Sequence, residues 1–199
     1  MNLRRFATCS SIWGLVVCGL SACSSSEGLG VSAAAGASAS EGAPVDPSSG
    51  DSEPADVAGI TAAHNRARAA VIPAANPALP ALSWSAAIAA TAQAYAEQCR
   101  FQHSMSKYGE NLYAAAGKNA SPQDVVDSWR SESADYDYAA NSCSGVCGHY
   151  TQVVWRSSTQ LGCGVAQCST NSPFSGFSDW QIWVCNYDPP GNFNGTRPY

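Results

Sequence analysis

Cations are scarce in this sequence. Ten Lys and Arg stand against fifteen Asp and Glu in 199 residues, a net charge of −5. That balance excludes the clustered positive surface a phosphate backbone requires, and with it a nucleic-acid partner. Long apolar runs are missing too: the run near the N-terminus spans only Ile12 to Leu20, where a membrane-crossing helix needs about twenty residues. The uncharged stretch from Ala69 to Ala96 is broken by Pro73, Pro77 and Pro80, so it reads as two helices and a loop. There is no His-Glu-x-x-His zinc-protease pair, no Gly-rich phosphate loop, no dinucleotide fingerprint and no repeated period. With 45% hydrophobic residues, what is left suffices to bury the core of one domain.

Cysteine is the residue in excess. Nine of them exceed what a reducing compartment normally carries, which points to export. Arg4 and Arg5 followed by Ile12–Leu20 have the form of an export signal over residues 1–22. The run ends in Leu20-Ser21-Ala22-Cys23, which resembles the lipobox of bacterial lipoproteins. Cys23 would then become the acylated first residue, held to a membrane by about 0.8 kcal/mol per buried methylene. The alternative is an ordinary signal peptide cut at nearby small residues, leaving Cys23 a spare thiol. Residues 23–57 read as a disordered tether: Ser24 to Val57 hold nine Ser, seven Ala, five Gly and six acids, with no aromatic, Lys or Arg, too little apolar surface to offset ordering entropy. Once the tether acids and the two leader arginines are set aside, residues 58–199 carry eight Lys and Arg against nine Asp and Glu. The domain is near neutral.

Within 58–199, Asp56 is placed to cap a first helix with Ile60, His64, Ala67 and Val71 inside and Arg66 and Arg68 outside. A second helix is expected from Ser83, its stripe Trp84, Ile88, Ala92, Tyr95 and Cys99. Ser121-Pro122-Gln123-Asp124 opens a third, whose stripe of Val125, Trp129, Glu132 and Tyr136 contains an anomaly. Glu132 falls on the buried face, and a buried carboxylate needs a partner. Leu161–Ser169 and Asp179–Tyr187 have strand character, with Glu110-Asn111-Leu112-Tyr113 as a third strand. Helices first and strands late predict an antiparallel sheet covered by helices. The six domain cysteines, Cys99, Cys143, Cys147, Cys163, Cys168 and Cys185, suggest three disulfides without choosing among the pairings. Zinc on Cys143-x3-Cys147 and Cys163-x4-Cys168 is the rival use.

Several segments stand in a telling order: His64-Asn65-Arg66-Ala67-Arg68, Leu82-Ser83-Trp84, Gly109-Glu110-Asn111-Leu112, Trp129-x2-Glu132, Cys147-Gly148-His149-Tyr150-Thr151-Gln152-Val153-Val154-Trp155-Arg156, Leu161-Gly162-Cys163 and Cys185-Asn186-Tyr187-Asp188-Pro189-Pro190-Gly191-Asn192. Together they resemble the CAP superfamily, which takes in cysteine-rich secretory proteins, insect venom antigen 5 and plant pathogenesis-related class-one proteins, and most closely the plant class. The resemblance covers the domain and not the tether. It implies an α+β fold, a three-layer α-β-α sandwich with a central antiparallel sheet, stapled by Cys99 with Cys168, Cys143 with Cys147 and Cys163 with Cys185. It implies a cleft carrying His103, Glu110, Glu132 and His149, able to hold a divalent ion, zinc first, or to share protons. As implied function it offers a secreted or envelope-anchored, non-catalytic module that binds a lipid, a sterol or a cell-surface partner. A metal-dependent hydrolase using Glu110 or Glu132 as base is the alternative, and a purely structural envelope protein the third.

Other residues carry less. His64 is expected to be a hydrogen-bonded packing residue. Trp180 and Trp183 lie on opposite faces of one strand, so one indole is available in principle for a lipid or partner. Ser104 beside His103 does not make a triad. The C-terminal segment from Asp188 to Tyr199 looks like the one plant relatives release as a peptide, but packing as an extended proline-rich end is the favoured expectation. For the N-terminus the expected outcome is a mature chain beginning at acylated Cys23 that partitions with membranes, checked by intact mass. An unmodified N-terminus elsewhere, or a Cys23→Ser variant processed and bound like the parent, contradicts it.

Overall fold

The computed structural model describes residues 52–199, so the expected signal peptide, Cys23 and most of the tether lie outside the described residues. The elements are α1 (Ile60–Ala69), β1 (Ser83–Trp84), α2 (Ala86–Ala96), β2 (Gly109–Ala116), α3 (Pro122–Ser131) running into a 3-10 turn at Glu132–Ala134, β3 (Tyr136–Asp137), β4 (Ser142–Cys143), α4 (Gly148–Val153), β5 (Gln160–Cys168) and β6 (Trp180–Asp188). No helix among these residues is long and apolar enough to cross a membrane.

The main sheet has the order β1-β5-β6-β2. β5, β6 and β2 pair antiparallel, but the two residues of β1 run parallel to β5, so the sheet is mixed where an antiparallel one was expected. Ser83–Trp84 is an extended lead-in to α2, not its first turn: Ser83 N–H donates to Thr159 O and Ser85 N–H to Leu161 O. The cap of α2 is therefore Ser85, whose side chain accepts from Ile88 N–H.

Strand alternation divides the interior in two. Trp183, Cys185 and Tyr187 face one way with Leu161 and Cys163, against Ile60 and Ala63 of α1, Val125, Val126 and Trp129 of α3, and Val153 of α4. Trp180, Ile182 and Val184 face the other way with Leu112, against Ala92 and Ala96 of α2. The result is the expected three-layer sandwich. Layer spacing on the α2 side is set by two glycines of β5. A Cβ on Gly162 would lie 2.1 Å from the backbone N of Ala89, and one on Gly164 2.4 Å from Cα of Gln93; backbone cannot give way, so only glycine fits. The close approach lets Gln93 take Val165 N–H and donate to Val165 O, at 2.9 and 3.1 Å. The cysteines pair as the family resemblance implied: Cys99–Cys168, Cys143–Cys147 and Cys163–Cys185. The first closes 69 residues, a loop whose cross-link removes roughly 4 kcal/mol of chain entropy from the unfolded state.

Three local expectations change. The last part of the expected tether is ordered, with Val57 only 1% exposed, and Glu53 rather than Asp56 serves the start of α1 by accepting from Gly59 and Thr61 N–H. Arg68 is not outside. It is buried and donates to the carbonyls of Pro80, Val153, Trp155 and Ser158, binding α1 to the two loops that follow α1 and α4. Desolvation brings its guanidinium down to about 10, still charged at neutral pH. Trp180 and Trp183 do occupy opposite faces, but both are buried, with their indole N–H groups donating to Thr170 O and Gln181 Oε1; neither is free for a ligand. The C-terminal segment packs as favoured: Arg156 N–H donates to Pro198 O, Asn141 to Gly195 O, and Arg197 to the carbonyls of Tyr138 and Ala139.

His64 is a packing residue, as expected. Its Nδ1 donates to Ile60 O and its Nε2 accepts from Tyr187 O–H, both at 2.8 Å, while burial holds that phenol well above its ordinary value. Burial lowers the imidazole from 6.5 to about 4. Between those values the unfolded chain takes up a proton that the folded one refuses. The contribution is therefore intact above pH 6.5 and is lost as pH falls toward 4, to a total of roughly 3 kcal/mol. Urea unfolding across this range should show a slope approaching one proton that is missing in His64→Gln; equal slopes contradict it.

Candidate functional site

The turn that ends α3 builds the first half of the site. Ser121 accepts from Asp124 N–H while Asp124 accepts from Ser121 N–H, a capping box that fixes the start of the helix. Ten residues later the helix delivers Glu132 at its C-terminal end. There the anomaly of the third stripe is resolved. The Glu132 side chain is 15% exposed and accepts three hydrogen bonds: His149 N–H at 3.0 Å, Tyr150 N–H at 3.1 Å and His149 Nδ1–H at 2.6 Å. Two are from orphan donors of the first turn of α4, where no side chain of α4 itself caps. The carboxylate thus starts α4 and orients its histidine in one act. The imidazole lies nearly parallel to the Trp129 indole, at 9° and 6.2 Å between centroids, and Asn111 donates to the His149 carbonyl at 3.0 Å.

The second half lies on the loop after α2. Cys99 is tied to Cys168, Tyr95 O–H donates to Gln102 O at 2.6 Å, and the loop presents His103 to Glu110 at the start of β2. Glu110 Oε1 accepts from His103 Nδ1 and from Ser104 N–H, both at 2.9 Å. His103 is 60% exposed and the Glu110 side chain only 6%. The Ser104 hydroxyl accepts from Ser106 N–H; among the described residues no hydrogen bond joins it to an imidazole.

The four residues therefore stand as two His–Glu pairs. Alternation along β2 explains the split: Asn111 faces α4 while Glu110 faces α2, so Glu110 is on the other side of the strand from the Glu132 pair. Within each pair the histidine commits Nδ1 to its carboxylate and keeps Nε2 free, the arrangement of a zinc-ligating imidazole backed by an acid. The donor chemistry fits zinc, but the grouping does not. Among the described residues no three His, Cys, Asp or Glu gather where one ion would reach them, so the residues as arranged do not fit a closed metal centre.

A cleft of about 390 Å³ runs past the outer edge of β2. Phe101, Leu112, Trp129, Pro173 and Phe174 supply apolar walls, and His149 with Glu132 the polar end; His103 and Glu110 do not line it. Trp129 Nε1–H donates to Leu112 O at 3.2 Å, covering part of the strand's open edge. Asn111, Trp129, Phe101 and Phe174 were not singled out from sequence as site residues. Alternation along the strand would have put Asn111 on the face opposite Glu110, but the aromatics come from segments that only the fold brings together.

The profile of the family described as "Cysteine-rich secretory protein family", CAP, matches residues 61–187. Pathogenesis-related protein 1 of Arabidopsis thaliana is 45% identical over 140 residues, covering 68% of this chain and 78% of that protein. Among solved structures, venom allergen-like protein 4 of Schistosoma mansoni is 26% identical with a TM-score of 0.56, over 70% of this chain and 90% of that one. NaASP2 with Zn2+ is 24% identical with a TM-score of 0.54, over 77% and 88%; at that identity the likeness speaks to fold.

Removing the Glu132 acceptor should unseat α4. Glu132→Ala is expected to lose roughly 2–4 kcal/mol of stability, read as a lower urea midpoint at unchanged slope. A loss within experimental error of zero contradicts the role given to this carboxylate.

Proposed function

This chain belongs to the CAP family of cysteine-rich secretory proteins, and from that premise we propose that it is an exported, non-catalytic binding module that takes an apolar ligand with a polar head into the cleft beside β2. The observation that carries this is the composition of the cleft: apolar side chains from four separate segments and a single oriented polar pair, His149 with Glu132, at one end. Such a mix suits a ligand buried along most of its length and fixed at one point, so a lipid or sterol is preferred over a flat cell-surface partner. Family membership and three disulfides support export. Presentation from the cell envelope through acylated Cys23 and the tether is part of the same proposal.

Catalysis is less well supported. A hydrolase reading needs a nucleophile with its base or a metal-bound water beside a carboxylate, and the Ser104 hydroxyl is engaged with Ser106 instead of with His103. A divalent ion, zinc first, enters only as an accessory occupant. It would be held through the free Nε2 of His149 or His103, with Glu132 or Glu110 behind as the partner that sets the tautomer.

The test uses the mature protein with cholesterol and oleic acid as probes. Phe101→Asp, at the exposed lip of the cleft, should weaken the bound probe by roughly ten- to a hundredfold without moving the unfolding midpoint. His149→Ala should weaken the probe and lower any zinc uptake measured by calorimetry to what His103 alone takes. Metal-dependent turnover of a peptide or ester substrate that is lost in Glu110→Gln or Glu132→Gln, on protein free of contaminating protease, would instead establish the hydrolase.

A further inference from the structure

A hollow of about 420 Å³ lies at the end of the main sheet, between the turn that leaves β2 and the loop that joins β5 to β6. Strand register puts Gln167, Gln181 and Ala115 side by side in one row across β5, β6 and β2, and residues so paired share a face. All three line the hollow, and Ala115 has too little side chain to fill the space beside the two amides. Gln181 is 6% exposed and forms the floor. Its Oε1 accepts from Ala120 N–H and from Trp183 Nε1–H, both at 2.9 Å. Two N–H donors fix which end of the amide is oxygen, and the Nε2 group is left with no acceptor among the described residues. That group keeps solvent contact, unlike the closed-off polar atoms of Trp84 and Asn186. An oriented, unpaired and reachable donor is a place for a ligand's acceptor.

The rim repeats the pattern. Gln167 Nε2–H donates to Asn119 Oδ1 at 3.1 Å, which leaves Gln167 Oε1 as a free acceptor and Asn119 Nδ2 as a free donor, both on exposed residues that line the hollow. Lys118 and Asp179 line it as well, and among the described residues neither is in an ion pair. Their opposite charges favour neither an anion nor a cation. Phe177 supplies an exposed apolar surface: it is 52% exposed, and its Cε1 lies 3.6 Å from where a Cβ on Gly117 would stand. Gly117 has φ +80°, so the turn out of β2 needs glycine, and the phenyl ring lies beside bare backbone at the edge of the hollow.

Donors and acceptors interspersed beside an aromatic ring, without net charge, match a ligand that is hydroxylated at its edge and apolar on its face. A pyranose has both properties. Each hydroxyl donates and accepts at once, and the C–H bonds of one face pack on an aromatic ring, whose own face is electron-rich. We propose that this hollow binds a neutral pyranose, with one face on Phe177 and its hydroxyls bonded to Gln181 Nε2, Asn119 Nδ2 and Gln167 Oε1. The sugar can be free or the end of a glycan chain. No residue lines both this hollow and the cleft at His149, so the two sites stand or fall independently.

The test is an NMR titration of the mature protein with the methyl glycosides of glucose, galactose, mannose and N-acetylglucosamine. Saturable shifts of the Gln181 side-chain N–H₂ are expected with at least one of them. Tighter binding of the matching tetrasaccharide assigns the site to glycan ends; equal or weaker binding assigns it to free sugars. Phe177→Ala and Asn119→Ala, both at exposed positions, should each weaken binding by roughly five- to tenfold without moving the unfolding midpoint. His149→Ala should leave it unchanged. No saturable shift with any of the four glycosides overturns the proposal, as does Phe177→Ala binding like the parent. An equal response to tetrahydropyran, which has the ring without the hydroxyls, overturns it too. So does a response to N-acetylglycine methylamide in place of the glycosides, the result expected of a peptide site.

Discussion

The carboxylate of Glu132 is the interaction on which the site depends. It ends α3, supplies the acceptor for two backbone N–H groups at the start of α4, and takes the Nδ1 proton of His149. A six-residue helix such as α4 has little stability of its own, because nucleation costs more than so few hydrogen bonds return. Its position is borrowed from α3 through this one side chain. The direction of the His149 ring, its parallel placement against Trp129 and the polar end of the cleft all follow.

The frame behind that interaction is fixed from the other side of the sheet. Gly162 and Gly164 let α2 lie directly on β5, and Gln93 then serves the backbone of Val165. Cys99–Cys168 ties the loop after α2 to the end of β5, which sets where His103 can reach. β2, at the sheet edge beyond β6, separates the two His–Glu pairs: Glu110 points to the α2 layer and Asn111 to the α4 layer. One strand therefore gives two polar sites on opposite faces, and the open edge between them becomes the cleft.

Features governed by near neighbours were legible in the sequence. The capping box at Ser121 and Asp124, the strands near 161–169 and 179–187, and the alternation that puts Trp180 and Trp183 on opposite faces depend on local spacing. The disulfide pairing came from family resemblance, not from spacing. Arg68 was misread because the four carbonyls that bury it come from Pro80 and from residues 153–158, far along the chain. β1 was absorbed into the second helix because two extended residues carry no periodicity. Glu132 was visible as an anomaly, but its donors on α4 were not, since α4 is too short to announce itself. The four cleft residues were named together, and the alternation of β2 that distributes them into pairs depends on which face each helix covers.

The central claim is that Glu132 holds His149 in one tautomer, with Nδ1–H toward the carboxylate and Nε2 free for the cleft. ¹⁵N NMR of the neutral imidazole of His149, compared between the parent protein and Glu132→Gln, measures this directly. The account predicts a protonated Nδ1 and an unprotonated Nε2 in the parent, and loss of that preference in the variant. A parent protein with the proton on Nε2, or a tautomer unchanged by Glu132→Gln, would contradict it.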